Sequence, residues 1–304
     1  MTRQAKNYFI IFGVLSILFS SCSVLEQGAD LLSGSDKVSS SDVDALVQTG
    51  KALRKTFSDI TEEEEYYIGR SVAALILSHY PVYENKALTD YVNTVGTALS
   101  FYSERPETYG GYHFLILDTD EVNALSAPGG LIFITKGLVK RCTNEEMLAS
   151  VLAHEIAHVT AKHGLRSIKN SRLIEAFGTI GEQAVQKFGS EQLQKLTTVF
   201  EGALGDVAET LIERGYDRKY EYEADIMAVH TALKTAYNPL GLKDFLETMK
   251  VDSPESADKG WFKTHPAAED RIARVEKEIK GISDLPVVEK SRVDRFLKLI
   301  RTIN

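Results

Sequence analysis

A single short pattern, histidine-glutamate-isoleucine-alanine-histidine at residues 154–158, constrains most strongly how this chain can fold. In a helix, His154 and His158 lie on one face, one turn apart, so that both imidazoles reach the same cation. Glu155 projects about 100° away round the helix, where it can reach a water held by that cation. The alternative is a buried helix with incidental histidines, in which each polar side chain would need its own partner. The pattern therefore predicts one zinc ion per chain, held by His154 and His158, with Glu155 as general base of a hydrolytic reaction.

The residues around this pattern predict a helix from 143 to 164. Thr143, with Glu146 three residues later, has the spacing of a capping box, which marks a helix start. Apolar residues continue the helical period, and Gly164 is a typical helix end. The pattern therefore lies inside a helix that is predicted independently of it.

A catalytic zinc site needs a third protein ligand, and a second predicted helix, 219–233, offers acidic candidates. Glu221 and Asp225 share a face, so that Glu221 can bind the metal while Asp225 accepts a hydrogen bond from a ligand histidine. The alternative is a surface helix with spare acidic groups, and Glu223 points elsewhere. His163 is predicted to lie on the surface. The other histidines without a supporting pattern are expected to be structural or exposed: His79, His113 and His230.

Hydrophobic periodicity predicts a mostly helical chain with a small sheet. Short aromatic and β-branched runs at 112–117 and 131–135 predict strands. The acidic run 62–65 is expected to be a solvated face, and the packing of 165–215 is not predicted. The expected class is α+β, with the sheet beside the helix at 143–164. Further helices are expected within 51–80 and at 85–103, 240–249, 270–279 and 293–300.

Composition excludes several classes of protein. With 43% hydrophobic and 26% charged residues, the chain is neither wholly disordered nor a multi-spanning membrane protein. The net charge of -8 provides no basic surface, so nucleic acid is not an expected partner. Two cysteines, Cys22 and Cys142, are too few for a disulfide framework, and Cys142 is expected to be buried and unreactive.

Residues 1–22 predict a lipoprotein signal peptide. Basic residues precede an apolar run at 8–19, which is shorter than the about 20 residues of a membrane-spanning helix. The small residues before Cys22 resemble the lipobox of bacterial lipoproteins, in which this cysteine becomes the acylated N-terminus. The serine after it implies, by the same resemblance, the outer rather than the inner membrane. A plain cleaved signal and a retained anchor are the alternatives. Residues 23–50 predict a flexible tether, and 51–304 the folded domain.

Four ordered segments resemble the gluzincin metallopeptidases of the HtpX and CAAX prenyl protease family, most of all its soluble, periplasmic lipoprotein branch. They are NALSAPGG at 123–130, HEIAH at 154–158, EYEAD at 221–225, and the threonine-histidine-proline at 264–266 with Arg271. The resemblance spans 62–275 and implies a zincin-type metalloprotease domain, in which Glu221 is the third zinc ligand and Asp225 lies behind the ligands. No long apolar run follows residue 22, so the membrane helices of HtpX and the prenyl proteases are not expected.

The resemblance also implies a substrate site. In the family, the segment at 123–130 precedes an edge strand that pairs with an extended peptide. This implicates Asn123, Ala124, Gly129 and Gly130, together with the strand that follows Gly130. Two adjacent glycines would let one chain approach another closely.

His265 has three interpretations. A histidine followed by proline can simply cap a helix. By resemblance, His265 lies over the active site, where it could donate a hydrogen bond to a tetrahedral intermediate as a catalytic residue. It could instead complete the zinc shell and hold the enzyme latent. Arg271 would then be a polar support nearby.

The function predicted is that of a zinc-dependent endopeptidase tethered by lipid to the periplasmic side of a bacterial membrane. Its expected substrates are unfolded or misfolded envelope proteins, so that it would serve protein quality control. The alternative is a chaperone-like assembly factor for outer-membrane proteins, with a latent zinc site closed by His265. A third possibility, a purely structural zinc site, usually relies on cysteines, and Cys142 stands alone.

Overall fold

The residues that the structure describes form helices around one small sheet, with the helix of His154 and His158 at the centre. The computed structural model describes residues 60–167, 202, 204–252, 261–266 and 268–303. The predicted signal peptide 1–22, the tether 23–50 and most of the segment 165–215 lie outside the described residues.

The helices that periodicity predicts are present, with ends close to the predicted positions, whereas the short helices at 136–141 and 261–264 were not predicted. A helical stretch at 204–209 continues into a π-helical turn, Thr210–Arg214. In chain order the helices are α1 Glu62–His79, α2 Lys86–Phe101, α3 Lys136–Arg141, α4 Glu145–Thr160, α5 His163–Arg166, α6 Arg218–Lys234, α7 Leu240–Asp252, α8 Trp261–Thr264, α9 Ala268–Lys280 and α10 Lys290–Ile300.

Three strands form the sheet in the order β1-β3-β2, where β1 is His113–Leu117, β2 is Ala124–Ala127 and β3 is Leu131–Thr135. β1 pairs with β3 in parallel, and β2 pairs with β3 in antiparallel orientation. Because β2 packs against α4, the predicted α+β class, with a small sheet beside this helix, is confirmed.

The strand after Gly130 is not an edge strand, which corrects the sequence prediction. This strand is β3, and it lies at the centre of the sheet with both edges paired. The tight turn Pro128–Gly130 returns the chain from β2 to β3, so β2 takes the edge position. The outer edge of β1 is partly paired through a bridge between Val82 and Leu117, so among the described residues the sheet edge without a paired strand belongs to β2.

Helix α4 is the core of the described fold. Every residue from Glu145 to Val159 is buried, as expected of a helix with neighbours on all sides. α6 and α7 pack along it, and α2 and β2 also contact it. Side chains on α4 are therefore fixed from several directions, which suits a helix that carries a site.

Both ends of α4 differ from the prediction. The cap is Asn144, whose Oδ1 accepts a hydrogen bond from Met147 N at 2.9 Å, whereas the Thr143 hydroxyl lies 3.3 Å from the Met147 sulfur. α4 ends at Thr160 rather than near Gly164, because Lys162 adopts the left-handed region with φ 56°. The chain therefore turns sharply before α5 begins.

The acidic run at 62–65 is only partly a solvated face. Its first three residues are exposed, but Glu65 is 0% exposed because it lies on the inner face of α1. Glu65 Oε1 accepts hydrogen bonds from Arg105 Nη1 at 2.9 Å and from Gly129 N at 3.1 Å. This carboxylate therefore pins the turn between β2 and β3 to α1.

Cys142 is buried and has a free thiol, as predicted. Burial raises the pKa of this thiol, which disfavours the reactive thiolate. Among the helices of the described residues, none has both the length and the apolar character that crossing a bilayer requires.

Candidate active site

Helices α4 and α6 bring the predicted ligands to one buried point. His154 and His158 are one turn apart on α4, Glu221 and Asp225 are one turn apart on α6, and the two helices pack along each other. All four side chains are 0 or 1% exposed. So many buried polar groups are stable only when they are paired with one another or with a cation.

Four donor atoms converge in this region. His154, His158, Glu221 and His265 each contribute one ligand atom, and these atoms lie within 4.8 Å of one another. Nε2 of His154 is 3.0 Å from Nε2 of His158 and 3.5 Å from Oε2 of Glu221. Nε2 of His158 is 3.4 Å from Oε1 of Glu221. The structure thus brings together the three predicted ligands and adds His265 to them.

The spacing and the charge of this cluster fit a divalent cation. Zinc ligands lie at about 2.0–2.1 Å from the metal in tetrahedral geometry, which places them about 3.3 Å apart, similar to the distances between these donors. The cluster contains three buried carboxylates, Glu155, Glu221 and Asp225, but only one buried guanidinium, that of Arg271, which contacts Glu221 and Asp225. A divalent cation would balance the remaining negative charge.

The pKa values of the two α4 histidines diverge. Burial opposes a charge on His154, but the carboxylates of Asp225 and Glu221 outweigh it and raise the pKa of His154 to about 9. Burial and the neighbouring His154 lower the pKa of His158 well below its usual value. The carboxylates thus favour positive charge at the centre of the cluster, which a bound cation would supply in place of a proton.

Asp225 and Arg271 form a layer behind the ligands. Nδ1 of His154 lies 3.0 Å from Oδ1 of Asp225. Arg271 donates two hydrogen bonds to Asp225, at 2.8 and 2.7 Å, and its charge outweighs burial and lowers the pKa of that carboxyl. Nη1 of Arg271 lies 2.8 Å from Glu221 Oε2 and donates to the His265 carbonyl at 3.3 Å. Arg271 therefore joins α6 to the segment of His265, which is more than the nearby support that sequence predicted.

Glu155 lies beside the ligands, and its carboxylate accepts no hydrogen bond from a described residue. The residue is 0% exposed. Oε1 lies 3.6 Å from His265 Nε2. A buried carboxylate without a hydrogen bond is costly and calls for an explanation. Its position suits a base that accepts a proton from water.

His265 turns its ring into the donor cluster rather than towards a helix end. The ring stacks on Trp261 with centroids 4.0 Å apart, and both residues are buried. Nδ1 is 3.1 Å from Glu221 Oε2, and Nε2 is 3.4 Å from the Ala124 carbonyl. His265 therefore contacts both a predicted metal ligand and the edge strand β2.

The free edge of β2 borders a cleft next to the donor cluster. Asn123, just before this strand, accepts a hydrogen bond from the Thr264 hydroxyl at 2.9 Å and so ties β2 to the segment of His265. The walls of this narrow cleft include Ala124, Ser126, Glu155, Thr210, Tyr216 and His265.

Gly129 and Gly130 lie away from this cleft, although sequence placed them at the substrate. Their φ angles are 78° and 100°, in the region that favours glycine. An added Cβ would lie 2.9 Å from Tyr66 Cα at Gly129 and 2.7 Å from the Gly111 carbonyl at Gly130. The close approach that these glycines permit is to the chain's own backbone.

His163 is 0% exposed, so its prediction as a surface residue is wrong. That prediction extended one helix through His163, whereas the turn at Lys162 returns its ring to His158. The two Nδ1 atoms are 2.8 Å apart, and His163 Nε2 is 3.1 Å from Oε2 of Glu223. Burial lowers the pKa of His163 to about 4, although Glu223 acts in the opposite direction. His79, His113 and His230 are exposed, as expected.

Tyr216 is a further residue of the site that sequence reasoning missed. Its ring stacks on His158 with centroids 4.2 Å apart and an interplanar angle of 16°. Its hydroxyl is buried and makes no hydrogen bond to any described residue. The tyrosine follows Gly215, at the end of a segment whose packing the sequence left open, so no motif identified it.

Comparisons with known proteins show the family to which the chain belongs. The model of Peptidase family M48 matches residues 86–279. The chain is 26% identical over 263 residues to the beta-barrel assembly-enhancing protease of Escherichia coli (strain K12). The aligned region covers 86% of this chain and 52% of that protein. The chain is 25% identical to the mitochondrial metalloendopeptidase OMA1 of Schizosaccharomyces pombe, over 74% of this chain and 64% of that protein. It is 29% identical to a protease HtpX homolog of Salinibacter ruber, over 53% of this chain and 66% of that protein.

The chain spans about half of the length of the Escherichia coli protein that it matches. The match to the family model covers more than half of the chain and includes both histidines of α4, Glu221, His265 and Arg271. This extent agrees with the resemblance inferred from the four sequence segments. The chain belongs to Peptidase family M48.

Proposed function

We propose that this protein is a zinc-dependent endopeptidase that cleaves extended segments of unfolded or misfolded envelope proteins. The observation that carries the proposal is the convergence of His154, His158 and Glu221 on one point, with the Glu155 carboxylate buried beside them without a hydrogen bond from a described residue. Membership of Peptidase family M48 supports protein substrates.

The residues that would hold zinc are His154, His158 and Glu221. When bound, zinc would act as a Lewis acid and lower the pKa of a water at its open position to about 7. Asp225 would orient His154 through its Nδ1, from which it lies 3.0 Å away. Arg271 would keep Asp225 and Glu221 ionised in the buried site, because its guanidinium contacts both carboxylates.

Glu155 would act as the general base. Since neither carboxylate oxygen accepts a hydrogen bond from a described residue, both are available to accept a proton from the attacking water and pass it to the leaving amine. His265 Nε2, which lies 3.6 Å from Glu155 Oε1, would donate a hydrogen bond to the scissile carbonyl oxygen as negative charge develops there.

The edge of β2 would hold the substrate as an added strand. Strand addition uses backbone hydrogen bonds and pockets for alternate side chains, so it tolerates many sequences but requires an extended chain. Ala124 would contribute to this edge, and Asn123 would position it through Thr264. Such recognition suits unfolded proteins, whose backbone groups are not yet paired.

His265 also supports a latent form of the same site. Its Nδ1 is 3.4 Å from Nε2 of His154 and belongs to the same group of four ligand atoms. A fourth protein ligand would fill the position that catalysis keeps open, so His265 would have to move before substrate binds. The chaperone-like alternative is less well supported, because the relatives are named as proteases or a metalloendopeptidase.

We place the protein in the bacterial envelope, anchored through an acylated Cys22 and a tether at 23–50. The support is the order of basic, apolar and small residues before this cysteine, together with the Escherichia coli relative, whose name refers to β-barrel assembly. The domain beginning at 51 would then face the periplasm, and the serine that follows Cys22 favours the outer membrane over the inner membrane.

The proposal is tested by Glu155→Gln in the purified protein, with an unfolded β-barrel protein diluted from urea as substrate. We expect zinc content to be unchanged and cleavage to fall by about 100- to 10,000-fold, since the variant lacks the base. Glu247→Gln, an exposed change of the same kind on α7, serves as control. Full cleavage by Glu155→Gln, or no zinc-dependent cleavage by the parent, would contradict the proposal.

A further inference from the structure

His158 is linked to the protein surface by a chain of two side chains. Its Nδ1, the nitrogen that faces away from the donor cluster, lies 2.8 Å from Nδ1 of His163. His163 Nε2 lies 3.1 Å from Glu223 Oε2, and Arg166 Nη1 donates to the same oxygen at 3.1 Å. Both histidines are buried, whereas 43% of the Glu223 side chain is exposed.

Metal binding by His158 would determine where the protons lie along this series of three side chains. If Nε2 of His158 binds the cation, the proton of this neutral ring is at Nδ1 and is donated to Nδ1 of His163. His163 must then carry its own proton at Nε2, where it donates to the Glu223 carboxylate. Every donor in the chain therefore has an acceptor, and both nitrogens of His163 are engaged.

The two α4 ligands thus differ in what lies behind them. His154 has a carboxylate directly at its Nδ1, that of Asp225 at 3.0 Å. For His158 an imidazole is interposed, and the carboxylate follows one residue further out. Glu223 lies between Glu221 and Asp225 on α6. One helix therefore supplies a carboxylate to the donor cluster, a second one behind His154 and a third one behind His163.

The fold fixes the ring of His163 from several sides. The left-handed turn at Lys162 places His163 at the start of α5, beside His158. Its ring centroid is 4.5 Å from that of Tyr220 and 5.8 Å from that of Tyr216. Such a ring has little freedom to rotate, which is what a group that orients a ligand requires.

We propose that His163, backed by Glu223, is a positioning residue that holds His158 in the orientation in which it binds the metal. This inference rests on the proposed zinc site and adds to it two residues that touch neither the substrate nor the metal. Loss of such a partner typically weakens metal binding by about 10- to 100-fold.

The test measures zinc affinity by competition with a chromophoric chelator. We expect His163→Ala to weaken zinc binding by about 10- to 100-fold. His163→Gln should recover part of this loss, because its amide can accept from His158 and donate to Glu223. The matched control is His230→Ala, which removes an exposed histidine that also pairs with a glutamate, at 2.8 Å, and should leave zinc affinity unchanged.

The outcomes separate this inference from the proposed function. Zinc binding by His163→Ala as tight as by His230→Ala, or no recovery in His163→Gln, would overturn the inference alone. A parent protein that binds no zinc would overturn the proposed function itself. If His163→Ala does not fold, Glu223→Ala decides, because this side chain is partly exposed. It should bind zinc more weakly than the parent, and unchanged affinity would overturn the inference.

Discussion

Replacing Arg271 by methionine should strongly destabilise the metal-free protein. The guanidinium is 0% exposed and forms two hydrogen bonds with Asp225, at 2.8 and 2.7 Å, and an ion pair with Glu221 at 2.8 Å. Methionine retains much of the side-chain volume, so the change mainly removes the charge. It leaves two buried carboxylates without their shared counter-charge.

The expected loss is about 3–5 kcal/mol in the free energy of unfolding, as for other buried ion pairs that lose one partner. Asp225→Asn combined with Arg271→Met should cost less than the sum of the two single changes, by about 1–3 kcal/mol, because the carboxylate that needed Arg271 is then neutral. This non-additivity distinguishes a lost charge pair from a loss of packing.

The assay is urea denaturation in the presence of a chelator, since zinc binding would add its own stabilisation by mass action. Arg274→Met on the same helix is the control. Arg274 is exposed, with its guanidinium 4.0 Å from the Tyr222 ring centroid, so its loss should cost no more than about 1 kcal/mol. Equal losses in the free energy of unfolding for the two arginine variants, or strict additivity in the double variant, would show that Arg271 does not stabilise the fold as the counter-charge of Asp225.

Two further predictions concern the frame of the site. Gly69→Ala should destabilise the fold by about 1–3 kcal/mol or more, because its Cβ would lie 1.8 Å from the Pro128 carbonyl, whereas Gly205→Ala, with nothing within 4 Å, should be neutral or slightly stabilising in thermal unfolding. Glu145 is buried, which by itself would raise the pKa of its carboxyl. The hydrogen bonds that this carboxylate accepts, first of all from Arg295, outweigh burial and lower the pKa below 4.5. The difference in free energy of unfolding between the parent and Glu145→Gln should therefore be largest near neutral pH and should shrink as the pH falls below 4.5. A difference that does not vary with pH would contradict this.

The parts of the site that sequence predicted are those fixed by helical spacing. His154 with His158, and Glu221 with Asp225, recur at four residues, and any helix places such pairs on one face. The packing of α4 on α6 brings these two faces together. The resemblance to a known family implied this packing, whereas spacing within each helix could not predict it. His265 and Arg271 were identified only through that resemblance, since their distance in sequence hides the contact of His265 with α4 and that of Arg271 with α6.

The missed features depend on turns and long-range partners. Strand β2 has four buried residues without an apolar and polar alternation, so it carries no strand signal. The buried position of His163 depends on the left-handed conformation of Lys162. A lysine gives no sequence signal of a helix break, unlike a glycine or a proline at that position. Glu65 is buried because Arg105, forty residues away in sequence, pairs with it, and no local pattern records that pairing.

Whether α4 and α6 together hold one catalytic metal ion can be measured as the zinc content of the protein, purified without chelators and supplied with zinc, beside that of His158→Ala. We expect about one zinc per chain in the parent and far less in the variant, because His158 is one of three ligands. No zinc in the parent, or equal zinc in both proteins, would contradict this expectation.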